Sequence, residues 1–135
     1  FWVPEPTLQF PGIRKFLSKY QEYAVDAGVD PLGYYLPPYA YAYLQILGHA
    51  ITETESIDEE ILAEHIRSNE FSTVVGNVAF GPDGEWKKSR ILMVQFQNIV
   101  GRNLQQFTEP GTRVVLYPPE WASGQPQYPF TPGNN

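Results

Sequence analysis

Few side chains in this sequence have the chemistry for catalysis, and their spacing argues against it. His49 and His65 are the only histidines, too far apart for an H-x-x-x-H metal motif. His65 falls on the apolar side of a helical repeat, close to Glu60 and Glu64, and is expected to pack between helices. Ser68, three residues after His65, is the closest serine–histidine pair in sequence; no G-x-S-x-G accompanies it, and the pairing reads as coincidence. Glu53, Glu55, Asp58, Glu59, Glu60 and Glu64 gather in one stretch. A general-acid pair or a cation site needs such groups, but acids at the start of a helix are also favoured by its dipole and by solvent. The latter reading is preferred. Gly81-Pro82-Asp83-Gly84 lacks the further acids of an EF-hand and the GK[ST] of a P-loop, so it reads as a turn. The expectation is a non-enzyme with no metal and no cofactor.

The remaining candidates are aromatic. Tyr34, Tyr35 and Tyr39 cluster before a helix, and Trp2 stands near the start of the sequence. Aromatic faces with hydroxyls suit an apolar or aromatic ligand. They serve equally well to pack one helix against another.

Composition limits the choices further. Across 135 residues, 15 acids and 9 bases give a net charge of −6. The densest basic group is Lys87, Lys88 and Arg90, and nucleic-acid binders normally carry a larger positive footprint. No nucleic-acid partner is expected. Cysteine is absent, so disulfides and thiolate sites are excluded. No apolar run reaches the ~18 residues of a membrane span. Of the 13 prolines, Pro4, Pro6 and Pro11 stand near one end and Pro118, Pro119, Pro126, Pro129 and Pro132 near the other, which predicts irregular segments at residues 1–9 and 120–135, with regular structure between.

Three helices and then strands are predicted there. In the first, Ile13, Phe16, Leu17, Tyr20 and Ala24 share a face, Pro11 suits the first turn, and Gly28 suits the C-terminus. The second runs from about Pro38 to Thr52, with Tyr39, Tyr43, Ile46, Leu47 and Ala50 on one face and Gly48 allowing close packing. In the third, Ser56 and Glu59 match a capping box, and Ile57, Ile61, Leu62, His65 and Ile66 follow a helical period. Residues 72–80, 91–97 and 113–117 are rich in β-branched or alternating apolar residues and read as strands.

Taken in order, these pieces resemble the C-terminal part of type I periplasmic binding proteins, the branched-chain amino acid (Leu/Ile/Val) receptor family of ABC transporters. Phe16-Leu17-Ser18-Lys19-Tyr20-Gln21-Glu22-Tyr23 is similar to the family's "F…Y…Y" helix. Gly28, Asp30-Pro31 and Tyr41-Ala42-Tyr43 follow at suitable gaps, although Ala42 stands where the family has aspartate. Residues 71–84 resemble its "F…G…G.v.F…dG" and carry most of the likeness. Residues 91–97 and Val114-Val115-Leu116-Tyr117-Pro118 resemble its closing strands. The likeness spans residues 10–119.

The resemblance implies an α/β fold, one that would look like α+β if this stretch stood alone. It implies a periplasmic two-lobed receptor that captures a small solute, such as an amino acid or an apolar or aromatic carboxylate, and delivers it to an ABC permease. By the same analogy Tyr34, Tyr35, Tyr39 and Trp2 would line the ligand cleft. Phe1-Trp2-Val3-Pro4 reads as interior sequence, so the rest of such a receptor is expected upstream. Apolar helix faces left without that part would favour homo-oligomers. An independent α+β domain that dimerises is the alternative.

Overall fold

A computed structural model of the chain describes residues 10–32, 35–88 and 91–129. The fold is mixed. It has three helices, α1 (Ile13–Asp26), α2 (Pro37–Thr54) and α3 (Glu59–Ser68), and four strands, β1 (Glu70–Thr73), β2 (Gly76–Ala79), β3 (Met93–Phe96) and β4 (Arg113–Tyr117). The strands form two separate two-stranded antiparallel sheets, β1–β2 and β3–β4. The described residues divide into two compact units, with α1 to β2 in one and β3 to the last described residues in the other.

The helical unit starts from Gly12. Its φ of 74° is a left-handed conformation that glycine adopts without strain, and it sets the helix start at Ile13. Pro11 therefore sits in the turn before α1 rather than in its first helical turn. At the other end, Gly28 has φ 67°, the Val29 N–H donates to the Ala24 carbonyl (2.9 Å), and the Gly28 N–H donates to Val25 (3.2 Å). This paired pattern closes the helix as a Schellman motif.

Helix α2 carries Pro37 and Pro38 in its first turn, where their missing N–H groups cost nothing. Its buried positions are Pro38, Ala42, Ile46 and Ala50, an i, i+4 row of mostly small side chains packed against α3 and β1. The buried face is thus rotated from the expected one: Ile46 and Ala50 belong to it, whereas Tyr43 is 66% exposed. Alanine at 42 and 50 allows close approach, which a tyrosine would prevent.

The N-cap of α3 is Asp58, not Ser56. The Asp58 carboxylate accepts from the backbone N–H of Glu60 (3.0 Å) and Ile61 (3.2 Å). Ser56 instead accepts from the Asp58 N–H. Both Asp and Ser are good caps, and the aspartate wins here by standing one residue before the helix. Of the expected apolar face, Leu62 is buried, while Ile57 and Ile61 are exposed.

Residues 72–80, which read as one β-rich run, form a hairpin instead. Phe71 pairs with Val78 and Thr73 with Gly76, leaving Val74 and Val75 as a two-residue loop. Both loop residues are 1% exposed. A buried loop must still satisfy its backbone donors. The Val75 N–H donates to the Thr73 hydroxyl (3.2 Å), and the Val74 N–H donates to Oε1 of Gln45 on α2 (3.0 Å). The turn at Gly81-Pro82-Asp83-Gly84 is as expected: the Gly84 N–H donates to the Gly81 carbonyl, and the Asp83 carboxylate accepts from the Glu85 N–H.

In the second unit, Arg113, Val114 and Val115 of β4 are buried together with Leu92. The 3-10 turns Leu104–Thr108 and Pro119–Trp121 flank β4 in sequence. The Arg113 guanidinium donates to the Phe107 carbonyl in the first of these turns (2.7 Å). The described part of the Pro/Gly-rich tail lies along this sheet. Ser123 exchanges hydrogen bonds with Val115, and Gln127 exchanges them with the side chain of Gln95. Among the described residues, no helix is long and apolar enough to cross a membrane.

Candidate functional site

Helix α1 presents two adjacent stripes. Ile13 and Ala24 are buried, and Phe16, Leu17 and Tyr20 are half-buried between them, as the sequence pattern predicts. Beside that face, Lys15, Lys19 and Tyr23 recur at steps of four, and Phe16, Tyr20 and Tyr23 at steps of four and three. Positions three and four apart are neighbours on a helix surface. These residues form one wall of an open groove of about 510 Å³; Tyr41 and Gln45, one turn apart on α2, and the hairpin residue Val74 complete it.

The aromatic part of the groove is pre-arranged. The Phe16 ring lies 5.1 Å from Tyr41 at a 40° tilt, and 6.2 Å from Tyr20 in a stacked arrangement. Gln45 is held by the bond it accepts from Val74. The Tyr20 hydroxyl donates to the Asp30 carbonyl (3.0 Å). Burial pushes the Tyr20 hydroxyl pKa above its ordinary value of 10.0, with smaller contributions in the same direction from Asp30 and Tyr35. Negative charge beside the hydroxyl disfavours a phenolate there.

The expected aromatic site is only partly visible. Trp2 and Tyr34 lie outside the described residues. Tyr35 is 51% exposed in the link between α1 and α2. Tyr39 is half-buried in the first turns of α2, and its backbone N–H donates to the Leu36 carbonyl. The groove itself was missed in the sequence, because Lys15 and Lys19 break the apolar pattern used to find a helix face.

The histidine neighbourhood is structural. His65 Nε2 lies 2.8 Å from Glu53 Oε2, which joins α3 to α2. Its other ring nitrogen, Nδ1, is 3.3 Å from the amide nitrogen of Asn69, which can only donate. That assigns the ring proton to Nε2, pointing at Glu53, and leaves neither nitrogen for Ser68. The ring also meets Phe71 edge-on at 6.1 Å. Among the described residues, no group of three or more acidic or histidine side chains is placed to hold a metal ion.

No protein-family model matches the chain, and no curated protein matches it.

Proposed function

We propose that the chain forms the C-terminal part of a solute-binding protein of the Leu/Ile/Val receptor type, which captures an amino acid or an apolar or aromatic carboxylate for an ABC permease. One observation carries this reading: α2 is apolar on two faces. Its first face, Pro38, Ala42, Ile46 and Ala50, is buried within the unit. On the other side Tyr43 and Leu44 are 66% and 62% exposed, continued by half-buried Leu47 and Ile51. Steps of three and four residues place these four on one stripe. A helix that is apolar nearly all round belongs inside a larger protein. The missing cover would be the rest of a two-lobed receptor, with Tyr35 and Tyr39 at the edge of its ligand cleft.

The test is a thermal-shift screen on the complete polypeptide of the gene that encodes this chain, using branched-chain and aromatic amino acids and aromatic carboxylates. A ligand at 100 times its Kd stabilises by about 2.7 kcal/mol, a shift of several degrees. A saturable rise that Tyr39→Ala weakens supports the proposal. No response to any solute, or a gene that encodes only these residues, overturns it.

A second reading is an independent α+β domain that dimerises through the same α2 stripe. It is favoured by the buried cluster of Phe71, Val74, Val75 and Val78 with Ile46 and Leu62, which lies wholly within the helical unit. In that case Leu44→Lys converts a dimer of the isolated chain into a monomer in analytical ultracentrifugation.

A further inference from the structure

We infer that the groove between α1 and α2 binds a small aromatic carboxylate. The site is independent of the inter-lobe cleft proposed above, because residues 12–74 of the helical unit build all of it. Its volume, about 510 Å³, lies in the range of small-molecule sites, roughly 300–1,000 Å³. Phe16, Tyr20, Tyr23 and Tyr41 supply ring faces, and the spacing of Phe16 and Tyr41 is that of a preformed aromatic pair.

The polar groups of the groove select the charge of the ligand. Lys15 and Lys19 stand one turn apart on its rim, and neither pairs with a carboxylate among the described residues. Gln45 uses its carbonyl oxygen to accept from Val74 and keeps its NH₂ as a donor. The Tyr20 hydroxyl proton is committed to Asp30. Two lysines and an amide NH₂ therefore border an open groove walled by aromatic rings. In a chain of net charge −6, this is a local concentration of positive charge that an anion can use. A ring stacks on the aromatic wall while its carboxylate reaches the lysines, each of which lays its alkyl stem along apolar surface.

The experiment uses the 135-residue chain, titrated with 4-hydroxyphenylacetate and, separately, with its neutral amide, and followed by ¹H–¹⁵N NMR. The expected result is a saturable shift of the Phe16, Tyr20, Tyr41 and Gln45 amides. The amide analogue should bind at least threefold more weakly. The double variant Lys15→Gln/Lys19→Gln, whose exposed sites leave the fold intact, should bind about threefold to tenfold more weakly, as expected for two exposed charge pairs. The inference is overturned by no saturable shift, by equal binding of acid and amide, by unchanged binding in the lysine variant, or by shifts confined to Tyr35 and Tyr39. The last outcome would place the ligand at the cleft instead. Failure of the groove would leave the thermal-shift test of the complete polypeptide unaffected.

Discussion

Replacing Gln45 tests how the two elements beside the groove are joined. Val74 is 1% exposed, so its N–H has no access to solvent, and Gln45 Oε1 accepts from it at 3.0 Å. Gln45→Leu keeps the size of the side chain and removes the acceptor. A buried donor left without a partner costs about 1–3 kcal/mol. Because Gln45 is only half-buried, the extra apolar burial of leucine recovers less than about 1 kcal/mol. A net loss of about 1–2 kcal/mol follows. With an m-value on the order of 1–2 kcal/mol/M, the urea midpoint should fall by about 1 M. Gln45→Glu retains an oxygen acceptor and should stay within about 1 kcal/mol of the parent. Hydrogen exchange adds a local readout: the Val74 amide should lose protection in the leucine variant more than the amides of Phe71 and Val78. The reasoning fails if the leucine variant unfolds within about 0.3 M of the parent, or if glutamate costs as much as leucine.

Other substitutions separate local causes. Gly48 is exposed on α2, and no atom lies within 4 Å of where a Cβ would stand, so Gly48→Ala should stabilise the chain by about 0.5–1 kcal/mol in urea unfolding. Gly124→Ala should do the opposite, because its Cβ would come within 2.8 Å of the buried Val114 side chain; a lowered melting temperature checks it. Asp58→Ala should cost about 1 kcal/mol through loss of the α3 cap, and Ser56→Ala less, as compared by urea midpoints. The raised Tyr20 pKa means the folded state holds that proton more tightly than the unfolded one. Its contribution is complete below pH 10 and is lost as pH rises above it, so Tyr20→Phe should flatten the fall in stability above pH 10 in urea unfolding.

The elements of the fold were legible because each carries a local signal. Gly28 after an apolar period ended α1, the turn at Gly81-Pro82-Asp83-Gly84 was plain, and the β4 expectation at residues 113–117 matches its observed bounds. The errors arise where two local signals compete and tertiary packing chooses between them. Ser56 and Asp58 can both cap a helix, and the capping pattern names the serine; helix start and hydrogen bonds favour the aspartate. Tyr43 fits the helical period as well as Ala42 does, but close contact of α2 with α3 and β1 demands the smaller side chain. The Val74–Val75 loop was invisible because β-branched residues normally mark strands. Only the acceptors offered by Thr73 and Gln45 make a buried valine turn tolerable. The groove escaped notice for a related reason: its wall mixes lysine with aromatic residues, and apolar periodicity alone discards such a stripe.

Those same observations separate two kinds of unfinished surface in one unit. The groove combines rings with ammonium groups, and water solvates its charged rim without penalty, so it is stable when empty and suited to a ligand that comes and goes. The Tyr43–Leu44 side of α2 has no charge of its own across the stripe that continues to Leu47 and Ile51. Fully burying a leucine side chain is worth about 1.5–3 kcal/mol, so leaving this stripe in water forfeits stability that a permanent cover would supply. A transient partner gains less from it, since association must first offset lost translational and rotational freedom. The apolar stripe is therefore better matched to a covalently continuous or tightly dimeric neighbour, and the charged groove to a small anion.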